Sequence, residues 1–191
     1  MNIEIKSIKA TYEDLGSNAV LLCPPHPLMG GNRFDERLER ITKKLSEASI
    51  SSLRFDYRAY RKGIGEIEDA KICLEFLKRK HEKIAIVGYS FGGVVASNVA
   101  EECDLAVYIS ALPSIDSIEF RDCNKPKFFA IARRDQFISL ADSFKLFSSI
   151  SEPKDFVILD TDHFYFGKFD ILADKVCKFI IESFHKSPKT I

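Results

Sequence analysis

Two kinds of segment alternate along this chain. Short apolar runs rich in β-branched residues are followed by longer segments in which apolar residues recur every three or four positions. The short runs predict buried strands, and the periodic segments predict amphipathic helices. Such an alternation is typical of a mostly parallel, twisted sheet of six to seven strands with helices on both faces. The sequence therefore predicts an α/β fold.

The same pattern gives approximate bounds for each element. Strands are expected at residues 3–8, 18–23, 51–57, 83–88, 105–109, 127–132 and 155–159. Helices are expected at residues 33–48, 66–80, 91–101, 140–149 and 168–185. The strand at 83–88 is the most apolar, so we expect it at the centre of the sheet. The connection 111–125 is too short for an inserted lid domain.

Length and composition agree with one ordered domain spanning residues 1–191. A chain of 191 residues can bury roughly 70% of its unfolded surface. Apolar residues make up 46% of the chain, which argues against disorder. Basic and acidic residues are equal at 28 each, so no net field favours nucleic acid or an anionic membrane. We expect a small-molecule partner and make no prediction of the oligomeric state.

Cysteine usage and the N-terminus predict a cytoplasmic protein without a metal site. Five cysteines lie far apart, with no Cys-x-x-Cys pair and no histidine at metal-ligand spacing, so they are expected to be reduced and mostly buried. The first residues lack the apolar stretch of a signal peptide. The longest uncharged run, residues 84–100, is too short and too polar to span a bilayer comfortably.

The strongest chemical signal is the pentapeptide Gly88-Tyr89-Ser90-Phe91-Gly92. Alone it is weak, because a glycine-rich turn can carry an inert serine. Here an apolar strand precedes it and a helical segment follows it, which is the strand–turn–helix context of a nucleophile elbow. We therefore predict that Ser90 is a nucleophile.

With these motifs the chain resembles the α/β-hydrolase superfamily, as a small lidless serine hydrolase similar to dienelactone hydrolases and esterases. The resemblance runs from about residue 18 to residue 184. Residues 23–32, Cys-Pro-Pro-His-Pro-Leu-Met-Gly-Gly-Asn, look like the oxyanion loop of the superfamily. Residues 54–58, Arg-Phe-Asp-Tyr-Arg, are similar to its Arg-Phe-Asp-x-Arg-Gly segment, except that Ala59 replaces the glycine.

The resemblance implies a base and an acid for Ser90. His163 lies after the last predicted strand, where the superfamily places its catalytic histidine, whereas His81 and His185 are expected on the solvated surface. Asp135 follows the strand at 127–132 and is the preferred acid. Asp160, Asp162 and Asp116 are kept as alternatives, with salt bridges or helix caps as their ordinary roles.

Further site residues follow from the same loops. The backbone N–H groups of Leu28 and Phe91 are expected to form the oxyanion hole, because Pro27 has no N–H to donate. His26, Met29 and Phe164 are expected beside the substrate, although a structural role within the loop is favoured for His26. The reaction class needs no cofactor and no metal. The roles of Cys23, Arg133 and Arg134 stay open.

These residues predict acyl transfer through an acyl-enzyme intermediate. Carboxylic esters, thioesters, lactones and amides all fit as substrates. Two other functions remain open: an acyltransferase, in which the acceptor is not water, and a non-catalytic binding or scaffold protein that has kept the fold.

Overall fold

A computed structural model describes residues 1–185 of the chain. Residues 186–191, the end of the predicted domain 1–191, lie outside the described residues. Within residues 1–185, ten strands and five α-helices are present. The strands are β1 Asn2–Ile5, β2 Ile8–Glu13, β3 Asn18–Cys23, β4 Ser51–Phe55, β5 Lys83–Tyr89, β6 Leu105–Ile109, β7 Ser114–Ile115, β8 Ile118–Glu119, β9 Lys127–Ala132 and β10 Lys154–Leu159. The helices are α1 Glu36–Glu47, α2 Ile64–Lys78, α3 Phe91–Ser97, α4 Leu140–Ser149 and α5 Phe169–His185.

Eight of the strands described in residues 1–185 form one sheet, in the order β1-β2-β4-β3-β5-β6-β9-β10. Pairing is parallel from β4 through β3, β5, β6 and β9 to β10, and antiparallel for β1 with β2 and for β2 with β4. The strand β5 lies inside the sheet between β3 and β6, as its apolar sequence predicted. The carboxyl ends of the parallel strands meet at one edge, where ligands bind in open α/β sheets.

The count of six to seven strands was too low, because the N-terminal segment forms a hairpin. A single strand was predicted at residues 3–8, but β1 and β2 are joined by a turn at Lys6 and Ser7, both with positive φ. Residues 8–13 do alternate between buried and more exposed positions. The turn was missed because neither glycine nor asparagine marks it.

The hairpin also corrects the prediction for His81, which is buried rather than solvated. Its Nε2 lies 2.8 Å from the hydroxyl of Tyr12 on β2, and its Nδ1 lies 3.0 Å from the carbonyl oxygen of Gly16. Because a carbonyl oxygen only accepts, Nδ1 carries the proton and Nε2 accepts from Tyr12. His81 thus ties β2 to the start of β5, which explains its burial among charged sequence neighbours.

Helix bounds follow local capping. The carboxylate of Asp35 accepts from the N–H groups of Arg37 and Leu38, so α1 begins at Glu36 rather than at residue 33. The helix after Ser90 ends at Ser97, before the expected residue 101, and a 3₁₀ turn at Ala100–Glu102 continues it. The prediction for α4 agrees with the structure at both ends.

Helices cover both faces of the sheet, as the alternating pattern predicted. On one face, α2 and α3 pack against β-strand residues such as Leu53 and Phe55, with α4 at the margin. On the other face, α1 and α5 contribute Leu38, Val176 and their neighbours to a second core. All five cysteines lie within the described residues, and each is buried and free of disulfides, as expected.

The connection between β6 and β9 differs from the expected short loop. It contains the small antiparallel hairpin of β7 and β8, which we call the rim hairpin, Ser114–Glu119. Ile118 of this hairpin packs where a side chain at Gly63 would lie, within 2.7 Å of its Cβ position. Because Gly63 has a φ of +92°, glycine suits this position for two reasons. The rim hairpin therefore rests on the loop before α2.

Across residues 1–185, no helix combines the length and the apolar composition needed to cross a membrane.

Candidate active site

Ser90 lies at the sharp turn between β5 and α3, at the carboxyl edge of the sheet. Its backbone is strained, with φ +54° and ψ −118°. The turn is tight on both sides: a Cβ at Gly88 would lie 2.1 Å from the carbonyl oxygen of Gly92, and one at Gly92 would lie 2.3 Å from that of Cys23. The two glycines are therefore required by the close approach of backbone, as the pentapeptide suggested.

His163 lies in the loop between β10 and α5, and only 3% of its surface is exposed. Its Nε2 lies 3.0 Å from the Oγ of Ser90. Its Nδ1 lies 2.7 Å from Oδ2 and 2.9 Å from Oδ1 of Asp135. Since a carboxylate only accepts, Nδ1 carries the proton and Nε2 is free to accept the proton of the serine hydroxyl.

Asp135 follows β9, and its side chain is almost fully buried. Burial by itself disfavours the charged form, but the hydrogen bond and charge of His163 and the N–H of Phe137 outweigh it. The net effect holds the pKa of the Asp135 carboxyl below its usual value. The carboxylate is therefore ionised at neutral pH and oriented by the N–H groups of Phe137 and Ile138.

The three alternative acids lie elsewhere. Asp160 is exposed and pairs with Arg134. Asp162 accepts from the N–H of Phe166, and Asp116 contacts His26. The structure thus brings together Ser90, His163 and the preferred acid.

Several groups that the sequence did not reveal hold the His163 loop. The hydroxyl of Tyr89 donates to the His163 carbonyl oxygen at 3.0 Å, and the Gln136 side chain accepts from the His163 N–H at 3.0 Å. Arg37 donates to the carbonyl oxygen of Phe164, also at 3.0 Å. Gln136 adjoins Asp135 and could have been suspected. Arg37 could not, because 127 positions separate it from its partner.

The loop predicted to hold an oxyanion forms a 3₁₀ turn at Pro27–Met29. The N–H of Leu28 donates to Nδ1 of His26 at 3.2 Å. The N–H of Phe91 belongs to the first residue of α3 and so has no carbonyl partner within that helix. The Phe91 side chain is fully buried beneath His26 and Tyr57, so it does not line the site.

A cavity of about 140 Å³ opens beside Ser90. Its lining includes all three residues predicted beside the substrate, His26, Met29 and Phe164, while the Leu28 side chain points to solvent. Two walls were not foreseen: Leu112 and Ile115 from the β6–β9 connection, and Phe137 after Asp135. Most of the cavity surface is apolar. The remaining lining residues are Pro25, Gly30, Gly31, Asp35, Arg37, Tyr89, Ser90 and His163.

The charged side chains of Arg37 and Asp35, which both line the cavity, pair with each other. Among the lining residues of the described chain, Arg37 is the only permanent cation, and the carboxylate of Asp35 accepts from its Nε at 2.9 Å and from its Nη2. The guanidinium also lies over the ring of Tyr89, 4.5 Å from its centroid. Its donors are thus directed to Asp35 and to the His163 loop.

Cys23, near the site in sequence, has no access to the cavity. It is fully buried, and burial raises the pKa of its thiol well above the usual value, so it stays neutral. Over the part of the chain that the structure describes, no group of three or more His, Cys, Asp or Glu residues is arranged to hold a metal ion.

Solved structures identify the architecture. An α/β serine hydrolase without a lid from Xanthomonas campestris matches with a TM-score of 0.83, at 16% identity, covering 98% of this chain and 95% of that one. A serine hydrolase homologue from Coxiella burnetii matches with a TM-score of 0.81, at 21% identity, covering 93% and 95%. An esterase from Pyrococcus furiosus matches with a TM-score of 0.80, at 18% identity, covering 96% and 90%.

The described residues have the α/β-hydrolase fold, with Ser90 at the turn between a strand and a helix. The family model of the dienelactone hydrolase family matches residues 37–157, more than half of the chain. The chain therefore belongs to the dienelactone hydrolase family, and the protein is a hydrolase. Comparison with curated proteins finds no match.

Proposed function

We propose that this protein is a serine esterase that cleaves neutral carboxylic esters with a compact apolar group. The observation that carries the proposal is the continuous chain of hydrogen bonds from Ser90 Oγ to His163 Nε2 and from His163 Nδ1 to Asp135. A serine hydroxyl is a weak nucleophile without such a base, and the base needs a carboxylate to hold its tautomer.

The chemical steps follow from the geometry. Ser90 Oγ attacks the ester carbonyl carbon while its proton passes to Nε2 of His163, and the carbonyl oxygen becomes an oxyanion. The C–O bond to the alcohol then breaks, and His163 returns the proton to the departing alkoxide. Water then attacks the acyl carbon while His163 Nε2 takes its proton. The bond from this carbon to Ser90 Oγ breaks, His163 returns the proton to Oγ, and the carboxylic acid is released.

The oxyanion is stabilised by backbone N–H groups, which we assign to Phe91 and Leu28. The N–H of Phe91 also lies at the positive end of α3. Asp135 stays ionised throughout and stabilises the imidazolium that forms on His163. Each of these groups acts more strongly on the transition state than on the bound ester.

The cavity supports the substrate class. A volume of about 140 Å³ is close to that of cavities that bind one benzene molecule, about 150 Å³. Because Asp35 neutralises Arg37, the cavity offers little to attract a charged acyl group. His26, Met29 and Phe164 lie at its wall, where they would contact the bound group. We therefore favour aryl or short branched esters, with thioesters as a chemically similar second class.

Hydrolysis of a matched ester series tests the proposal. We expect p-nitrophenyl acetate, butyrate and benzoate to be cleaved, hexadecanoate to be cleaved poorly, and Ser90→Ala to lose all activity above background. Addition of alcohols or thiols during turnover, with analysis of the products, distinguishes hydrolysis from acyl transfer. A correctly folded wild-type protein that cleaves none of these esters or the matching thioesters would overturn the proposed esterase function.

A further inference from the structure

His26 connects three separate parts of the site. Its Nδ1 accepts the N–H of Leu28 at 3.2 Å, and its Nε2 lies 3.2 Å from Oδ2 of Asp116. The imidazole ring packs on the side chain of Phe91, at 4.8 Å between ring centroids, and on Tyr60 at 5.2 Å. The contact lies at the protein surface, where 13% of the His26 side chain and 23% of the Asp116 side chain are exposed.

The two polar contacts determine which nitrogen of His26 carries the proton. A backbone N–H only donates, so Nδ1 presents its lone pair to Leu28. A carboxylate only accepts, so Nε2 carries the hydrogen that faces Asp116. Asp116 thereby stabilises the one tautomer, and the one ring orientation, in which the ring can hold the Leu28 N–H.

The rim hairpin fixes the position of Asp116. This residue is the first of the two that join β7 to β8, and its φ is +55°. The N–H of the next residue, Ser117, donates to the carbonyl oxygen of Lys62 at 3.2 Å. Together with the packing of Ile118 on Gly63, this bond anchors the hairpin to the loop before α2. The carboxylate is therefore held at a fixed place beside His26.

We propose that Asp116 is a positioning residue for the oxyanion loop and acts through His26. The inference rests on the proposed esterase function, because it concerns the Leu28 N–H assigned above to the oxyanion. In the resting enzyme the ring of His26 accepts this N–H and so holds it in a defined orientation. The oxyanion that forms during attack on the ester is charged, so it is a stronger acceptor than the neutral ring and draws the N–H to itself.

Two substitutions at Asp116 distinguish the loss of its contact with His26 from a change in the backbone of the turn. Gly and Asn both tolerate a positive φ, so Asp116→Gly and Asp116→Asn keep the turn. Only Asn retains an oxygen that accepts from Nε2 of His26. With p-nitrophenyl butyrate we expect kcat to fall about tenfold in Asp116→Gly, less than the 10²–10³ of losing a whole oxyanion donor. We expect Asp116→Asn to stay within about threefold of wild type, and KM to change little in both, because the oxyanion exists only after attack.

A coupling measurement tests the route through His26. If Asp116 acts through the ring, Asp116→Gly has no further effect on kcat in a His26→Ala background. Inhibition by a trifluoromethyl ketone, which forms an oxyanion on Ser90, is expected to weaken about as much as kcat falls. Ser117→Ala serves as the control, since the hairpin contact of Ser117 uses its backbone.

The outcomes are distinguishable. Equal kcat values for Asp116→Gly and wild type, equal losses for Gly and Asn, or an undiminished effect of Asp116→Gly in the His26→Ala background would each overturn the positioning role. If His26→Ala does not fold, the comparison of Asp116→Gly with Asp116→Asn still tests the positioning role of Asp116. The proposed function would survive such a failure as long as wild-type protein hydrolyses the ester through Ser90. Absence of any Ser90-dependent hydrolysis would remove both proposals.

Discussion

At the scale of single residues, Asp135 carries a carboxylate that stays charged although it is buried. Its carboxylate is almost fully buried, which opposes ionisation, yet His163 and two backbone N–H groups hold it in the charged form. A group of this kind orients the imidazole and stabilises its cationic state. The Asp135 carboxylate can do this only because the fold places His163 and the two N–H groups beside it.

Asp135→Asn is expected to lower kcat for ester hydrolysis by about 10³–10⁴, because an amide can bond to the wrong tautomer of His163. Steady-state kinetics measure the loss. Asp160→Asn is the matched control, since Asp160 precedes the same histidine in sequence but lies on the surface with Arg134. A comparable loss in the control would reassign the acid.

The lowered pKa of Asp135 also predicts a pH dependence of stability. In the unfolded chain the carboxyl titrates near 3.9, and in the folded protein below that value. The charged form therefore contributes stability that is present above about pH 4 and is lost as pH falls through the folded pKa.

Urea unfolding at pH 5 and at pH 3 measures this contribution. We expect the free energy of unfolding to drop more for wild type than for Asp135→Asn over this interval, because the variant lacks the titrating group. A drop that is equal in both proteins, or larger in the variant, contradicts the assignment.

At the scale of elements, the backbone conformation of the turn between β5 and α3 determines where the Ser90 hydroxyl lies. Ser90 adopts a positive φ that few residues other than glycine and asparagine adopt readily, and its position exposes Oγ to the cavity. The sequence indicated this turn well, because both glycines and the flanking strand and helix are local features. The glycines are needed because backbone carbonyl groups lie within 2.4 Å of where their Cβ atoms would be.

Gly92→Ala is therefore expected to destabilise the protein by about 1–3 kcal/mol, the usual range for overpacking, and to reduce labelling of Ser90. Gly93→Ala, one residue later in α3, is the control. Its Cβ would meet the side chain of Ala111 at 3.2 Å, a contact that a small shift relieves. The helix gains up to about 1 kcal/mol from alanine, so we expect Gly93→Ala to be nearly neutral. Thermal unfolding ranks the two variants, and a reversed ranking would contradict the packing argument.

At the scale of the whole molecule, the site consists of loops that are far apart in sequence. Ser90, Asp135 and His163 could be predicted because each follows a strand, and the carboxyl ends of parallel strands meet at one edge. Arg37, Leu112 and Ile115 could not, because their contacts depend on how α1 and the rim hairpin pack. The N-terminal hairpin was missed for a similar reason: its turn carries no glycine, and the burial of His81 depends on contact with β2.

Because the β6–β9 connection lines the cavity, we expect its side chains to limit the size of the acyl group that fits. Ile115→Trp would fill part of the space beside Ser90. We expect kcat/KM for p-nitrophenyl benzoate to fall about tenfold, and that for the acetate by less than about threefold, because only the larger acyl group needs the space. Ile171→Trp, on the exposed surface of α5, is the control. Equal losses for both esters would show that the cavity does not hold the acyl group.

If Ser90 is a nucleophile activated by His163, a fluorophosphonate will label it, and intact-mass measurement with peptide mapping will locate the adduct. We expect one adduct per chain on Ser90, no adduct in Ser90→Ala, and labelling slowed by at least about 10³ in His163→Ala. A folded wild-type protein that stays unlabelled, or an adduct on another residue that persists in Ser90→Ala, would contradict this role of Ser90.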